Sequence, residues 1–189
     1  MCIRDSIDTL IQDGMLFTRF YVNATVCSPS RYCLLTGRYA TRGLELQNDF
    51  PVGTHATLEW RPGILRSESS LPKELQKCGY RTAIIGKWHN GEDDFSDINL
   101  RKMTKIEKKA NPTYQEVLPI ESSIIERYNV CRKGLEEGFG WNVVDRMEWG
   151  NSIVNLDWQC EGALKFIDQS KNQPFFLYCA LPVPHGQYR

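Results

Sequence analysis

No apolar run among these 189 residues approaches the length that crosses a bilayer, which excludes a membrane span within the sequence. An excess of either charge is also missing. With 23 basic and 23 acidic residues the net charge is zero, and that balance gives no case for a nucleic-acid groove or a membrane surface as partner. The first residues carry no basic-then-apolar secretion signal, so the mature compartment is not readable. There is no internal repeat, and the seven cysteines show no recognisable disulfide spacing. Cys78, Cys160 and Cys179 fall in helix-like or strand-like stretches, where buried free thiols are the expectation. Asn23-Ala24-Thr25 matches a glycosylation acceptor, but that tripeptide is common and carries no weight here.

What the chain does contain is concentrated in three blocks. The first reads Cys27-Ser28-Pro29-Ser30-Arg31-Tyr32-Cys33-Leu34-Leu35-Thr36-Gly37-Arg38. Pro29 suits the first turn of a helix, where a missing N–H is harmless, and Ser28 is an acceptable N-cap before it. Cys27 then sits at a helix N-terminus, where unpaired N–H groups and the helix dipole favour an anion. Arg31, four residues on, projects from the same face if the first turn is helical. Gly37 fits the stop of a short helix over Tyr32 to Thr36.

The second block, Gly79 to Gly91, follows an amphipathic helix over Ser70 to Lys77 with Leu71 and Leu75 inward, Lys73 on the outer face, and Gly79 as its stop. Thr82 to Ile85 is a short apolar strand compatible with a buried parallel sheet. If the extended backbone continues, Lys87 and His89 point to one face and Trp88 to the other. Two cationic or proton-carrying groups then meet at a strand's carboxyl end, where open α/β sheets bind ligands. In the third block, helix-like Leu156 to Ser170 leads into the apolar strand Pro174 to Leu181 and the turn Pro182-Val183-Pro184-His185-Gly186, whose prolines would hold the histidine in place.

These blocks together resemble the signatures of the type I, formylglycine-dependent sulfatase family of the alkaline phosphatase superfamily. Asn90, where many members carry Leu, is a departure. The alternation of strands and helices predicts an α/β class with a mostly parallel sheet covered on both faces, and the resemblance implies the alkaline-phosphatase-like α/β/α sandwich, incomplete here. It implies a sulfatase that hydrolyses a sulfate monoester on a small molecule or saccharide to alcohol and inorganic sulfate. Cys27 would be oxidised to formylglycine by a formylglycine-generating enzyme, hydrate to a diol that attacks sulfur, and ligate calcium. Arg31 would orient the diol; Lys87, His89 and His185 would bind the sulfate and, in the case of the histidines, move protons. A formylglycine-dependent phosphonate or phosphate ester hydrolase is the alternative within the same fold, and an inactive fragment is a second.

The resemblance further implies that residues 1–189 are part of an N-terminal catalytic domain, with Met1 to Ser6 artefactual and Gly91 to Ser123 a charged insertion or loop. Ile7 to Gly14 and Met15 to Tyr21 look like the family's first helix and second strand, and Trp141 to Val144 like a further strand. The adjacent aspartates that hold calcium in the family do not precede Cys27, so the other metal ligands are expected outside this chain, and the fragment alone is expected to be inactive. Periplasmic, secreted or lysosomal placement is usual in the family.

Overall fold

The computed structural model describes residues 3–55, 57–91, 126, 128–147 and 156–181. Its centre is a parallel sheet of three strands, β1 (Arg81–Gly86), β2 (Val143–Met147) and β3 (Phe175–Ala180), in the order β2-β1-β3. β1 pairs with β3 from Arg81↔Phe175 to Gly86↔Ala180 without a break, and with β2 from Ala83↔Val143 to a bulge after Ile85. The helices are α1 (Ile3–Asp13), α2 (Cys27–Thr36), α3 (Leu44–Asp49), α4 (Leu71–Lys77), α5 over 128–138, and α6 (Leu156–Ser170).

The two faces of β1 go to different layers. Ile84 joins the main core with Tyr32 and Leu35 of α2, Leu135 of α5, and Trp88 and Trp141. Ala83 and Ile85, equally inaccessible, alternate to the opposite face, against which α6 packs. Helices therefore cover both faces of the parallel sheet, as the alternation of elements predicts. Trp88 is the largest anchor: it is 1% exposed and meets Phe139 and Trp141 edge-on at ring distances of 5.2 and 6.3 Å. Trp141 in turn stacks on Phe176 and Tyr178 of β3 at 6.0 and 6.1 Å, so one aromatic column ties the end of β1 to β3.

Several local expectations hold. Gly37 ends α2 in the left-handed region, with φ 68 and its N–H on the Cys33 carbonyl at 3.0 Å. α4 is followed by Gly79 at φ 81, and α6 begins and ends where its periodicity places it. Others do not. The N-cap of α2 is Val26 rather than Ser28, and the helix begins at Cys27 itself; Ser28 lies inside the first turn, buried, and makes no capping bond. Leu71 is exposed and Pro72 is the residue of α4 that is buried; Ser70 stands at the N-cap position in an extended conformation without a side-chain capping bond.

Met15 to Tyr21 forms no strand. A strand persists only with a hydrogen-bonded neighbour, and this segment has none among the described residues, so Met15, Phe17, Phe20 and Tyr21 stay 66–82% exposed. Cys78, Cys160 and Cys179 are exposed, not buried; the buried thiols among the described residues are Cys33 and Cys131, on helix faces that pack into the main core. Lys73 is not a free outer-face lysine, because its ammonium donates to the carbonyls of Arg66 (2.5 Å) and Glu68 (2.9 Å). No helix among the described residues is long and apolar enough to cross a membrane.

Candidate active site

β1 stops at Gly86, whose φ of 94 and contact with the Ala180 carbonyl leave no room for a side chain. The chain then turns away from the extended path. The Lys87 N–H still reaches the Ala180 carbonyl at 2.9 Å, and the Lys87 carbonyl accepts from Arg31 Nη1 at 2.7 Å. With both backbone groups fixed, the Lys87 side chain, 5% exposed, points its Nζ to 3.9 Å from Cys27 Sγ.

His89 arrives at the same sulfur from the other side of the buried Trp88, its Nδ1 3.2 Å from Cys27 Sγ. Its backbone lies at φ 54, a conformation that costs a non-glycine residue on the order of 1–3 kcal/mol. Neighbouring contacts hold it there. The Asn90 carbonyl accepts from the Ile64 N–H at 2.9 Å, and with its side-chain amide turned to the orientation that satisfies both neighbours Asn90 donates to the His89 carbonyl at 2.7 Å and accepts from the Tyr32 N–H at 3.2 Å. The residue that departs from the family pattern thus ties the histidine segment to the helix that carries Cys27.

Cys27, half-buried, is the first residue of α2, so the free N–H groups and positive dipole end of that helix lie beside its side chain. Thiol, buried ammonium and imidazole meet around one point that favours an anion. Arg31 reaches this point indirectly, its guanidinium spanning the Lys87 carbonyl and the Tyr178 hydroxyl, the latter at 3.2 Å. Burial pushes the Tyr178 hydroxyl above its ordinary range and the Arg31 charge opposes that rise, so the phenol stays neutral beside the cation. Deeper in α2, the buried Tyr32 hydroxyl donates to Glu68 at 2.6 Å; burial and that carboxylate raise it strongly.

An open depression of about 410 Å³ leads to Cys27, bordered by Val22, Thr25, Ser30 and Trp60. The structure therefore brings together four of the five residues singled out from sequence: Cys27, Arg31, Lys87 and His89. His185 lies outside the described residues, as does the expected insertion beyond Gly91. Two neighbours were not singled out. Tyr178 occupies an apolar strand, where alternation marks it as core, and Trp60 sits in an aperiodic loop; neither carries a local signal beyond its residue type.

Among the described residues no three His, Cys, Asp or Glu side chains come together in a group that could hold a metal ion. Cys27 is a half-buried sulfur ringed by a lysine and a histidine, and calcium needs a cage of oxygens. The described residues do not fit calcium.

Comparison with known proteins gives the family. A sequence model of the Sulfatase family matches residues 4–189. N-acetylgalactosamine-6-sulfatase of Mus musculus is 42% identical over 213 residues, covering 96% of this chain and 35% of that protein. The Homo sapiens protein of the same name is 31% identical with 96% and 34% coverage, and an arylsulfatase of Hemicentrotus pulcherrimus is 28% identical with 95% and 32% coverage. Among solved structures, BT4656 in complex with its substrate D-glucosamine-2-N,6-O-disulfate aligns with TM-score 0.52 at 17% identity, over 98% of this chain and 30% of that one. Ps i-CgsB in complex with k-i-k-neocarrahexaose aligns with TM-score 0.54 at 24% identity, over 97% and 40%.

The fold is that of the alkaline-phosphatase-like α/β class, of which the three strands form part. The chain belongs to the sulfatase family, whose members are sulfuric ester hydrolases. It spans about a third of the length of the curated relatives it matches.

Proposed function

We propose that the protein hydrolyses a sulfate monoester carried by a saccharide, with residue 27 as the reacting group and residues 1–189 as part of the catalytic domain. The observation that carries this reading is the convergence of Lys87 Nζ and His89 Nδ1 on Cys27 Sγ, at 3.9 and 3.2 Å, at the start of α2. Two of the relatives named above act, by their names, on N-acetylgalactosamine 6-sulfate, which supports a saccharide as the carrier of the ester.

Oxidised to formylglycine and hydrated, residue 27 would carry two hydroxyls on one carbon, supplying an oxygen nucleophile and a second hydroxyl for release of sulfate. The chain's own residues do the rest. The helix N-terminus and the Lys87 ammonium hold the sulfate oxygens and oppose the charge that grows on them. His89 Nδ1 is placed to take a proton from the side chain at position 27 or to return one. Arg31 fixes the Lys87 backbone and, held by Tyr178, brings a permanent positive charge behind the sulfate. His185 is proposed as the second proton-carrying group that faces the ester. Calcium is assigned no step, because the described residues do not hold it.

The test is direct. In the natural protein made together with a formylglycine-generating enzyme, the tryptic peptide containing residue 27 should be about 18 Da lighter than its thiol form. The same preparation should release inorganic sulfate from N-acetylgalactosamine 6-sulfate, and Cys27→Ala should reduce release to background. Unconverted thiol beside a converted control sulfatase, or turnover that survives Cys27→Ala, would refute the assignment.

A further inference from the structure

The reading above says where the sulfate sits; the rim of the same depression bears on what the sulfate is attached to. Trp60 is 61% exposed, borders the depression together with Cys27 and Ser30, and has its ring 5.7 Å from that of His89 at an angle of 37°. A single exposed tryptophan is ordinary on a protein surface. This one is held in register with the reacting group.

The loop that carries it is fixed on both sides. The Arg61 N–H bonds the Leu58 carbonyl at 2.6 Å, and the Arg61 guanidinium pairs with the carboxylates of Glu45 and Asp49 on α3. Gly63, two residues on, lies so close to Gly91 that neither could carry a side chain, and the Ile64 N–H bonds the Asn90 carbonyl. The tryptophan loop is thus stitched to the residues immediately after His89. A fixed indole face beside a sulfate pocket presents an apolar, electron-rich surface of the size of one six-membered ring. The face of a pyranose is rich in polarised C–H groups and packs on such a surface, whereas a short alkyl sulfate leaves it bare.

We propose that Trp60 is the platform on which the sugar ring bearing the sulfate rests, making it a specificity-determining residue for a saccharide sulfate. This rests on the function proposed above and can fail separately from it. In the natural protein carrying Cys27→Ala, which cannot turn over, calorimetry would measure binding of N-acetylgalactosamine 6-sulfate, phenyl sulfate and inorganic sulfate.

Adding Trp60→Ala should weaken the sugar sulfate about tenfold and inorganic sulfate less than about twofold, and Trp60→Phe should restore most of the loss. Equal weakening of sugar sulfate and inorganic sulfate would overturn the proposal, since Trp60 would then act through His89 rather than on the sugar. So would an undiminished sugar affinity, or a larger loss for phenyl sulfate than for the sugar. Should the parent bind neither sulfate, the proposed function falls first and the platform with it.

Discussion

At the amino ends of the strands an open hollow of about 610 Å³ is lined by Gln76, Gly79, Tyr80, Arg81, Asn142 and Gln173, whereas the hollow beside Cys27, past the carboxyl end of β1, is about 410 Å³. The larger space holds three amides, a glycine, the Tyr80 phenol and one guanidinium already engaged by α6. The smaller is lined by Cys27, whose thiol also meets the His89 imidazole and the buried Lys87 ammonium. Volume and chemistry are separated by the length of the strands. In parallel strands the carboxyl ends all point one way, and the turns that follow them are where side chains can be gathered from different strands. Here the register Gly86↔Ala180 brings β1 and β3 to an end at the same level, and Lys87 takes its hydrogen bond across that junction.

The largest expected contrast comes from removing the buried charge. Lys87→Ala should lower turnover of a sulfate ester by about a hundredfold or more, the scale of losing one electrostatic stabiliser in a sheltered site. Lys77→Ala is the matched control: its side chain is 69% exposed on α4 and among the described residues pairs with Glu74 of the same helix. Lys73, which looks equivalent from sequence, is unsuitable because it anchors two carbonyls. If kcat falls equally in both lysine variants, the reacting centre does not lie beside Lys87.

A smaller effect should follow from the hydroxyl behind Arg31. Tyr178→Phe keeps the stacking on Trp141 and removes only the acceptor for Arg31, so kcat should fall a few-fold, up to about tenfold, with KM nearly constant. Stability gives a second readout with a definite sign. Because the folded state raises the ionisation of this phenol above its ordinary value, the stabilisation from keeping it neutral is complete below about pH 10 and declines as pH rises through the folded value. Tyr178→Phe should therefore lose less stability than the parent when denaturant titrations are carried above about pH 10. An unaltered kcat would mean that the Arg31 contact has no consequence for turnover, and an identical alkaline loss in both proteins that burial does not hold the phenol neutral.

How far the sequence carried the structure differs with the kind of signal. The helix ends at Gly37 and Gly79, the strand over Thr82 to Ile85, and α6 are legible because conformational freedom and apolar periodicity are local properties. Lys87 and His89 do share a target with Trp88 turned inward, yet for a different reason than strand alternation, since the strand stops at Gly86 and a left-handed His89 completes the turn. Met15 to Tyr21 looks like a strand by composition but lacks a partner among the described residues, and pairing is not a local property. Tyr178 and Trp60 gain their meaning only from neighbours that are 147 and 29 residues away in the chain, at Arg31 and His89. No spacing rule within a segment could have selected them.

The smallest effect is expected at the opposite end of the sheet, and it is the one that tests whether the two ends are functionally separate. Arg81 opens β1 and reaches across to the last turn of α6, where its Nη1 donates to the Gln169 carbonyl at 3.2 Å and to the buried Ser170 hydroxyl at 3.1 Å. Its guanidinium also lies over the Phe166 ring, 5.3 Å from the centroid. A cation at a helix C-terminus and over an aromatic face helps dock that helix, but much of the contact is exposed and screened, so Arg81→Ala should destabilise the fold by about 1 kcal/mol or less. Turnover and KM for a saccharide sulfate should stay within about twofold of the parent, because no atom of that network touches Cys27, Lys87 or His89. Arg81→Lys, which keeps the charge but not the forked geometry, should fall between parent and Ala in denaturant midpoint while leaving the same kinetics. A loss of kcat in Arg81→Ala approaching that of Lys87→Ala, in protein shown to be folded, would mean that the larger hollow takes part in the reaction and that the division of the sheet into a chemical end and a structural end is wrong.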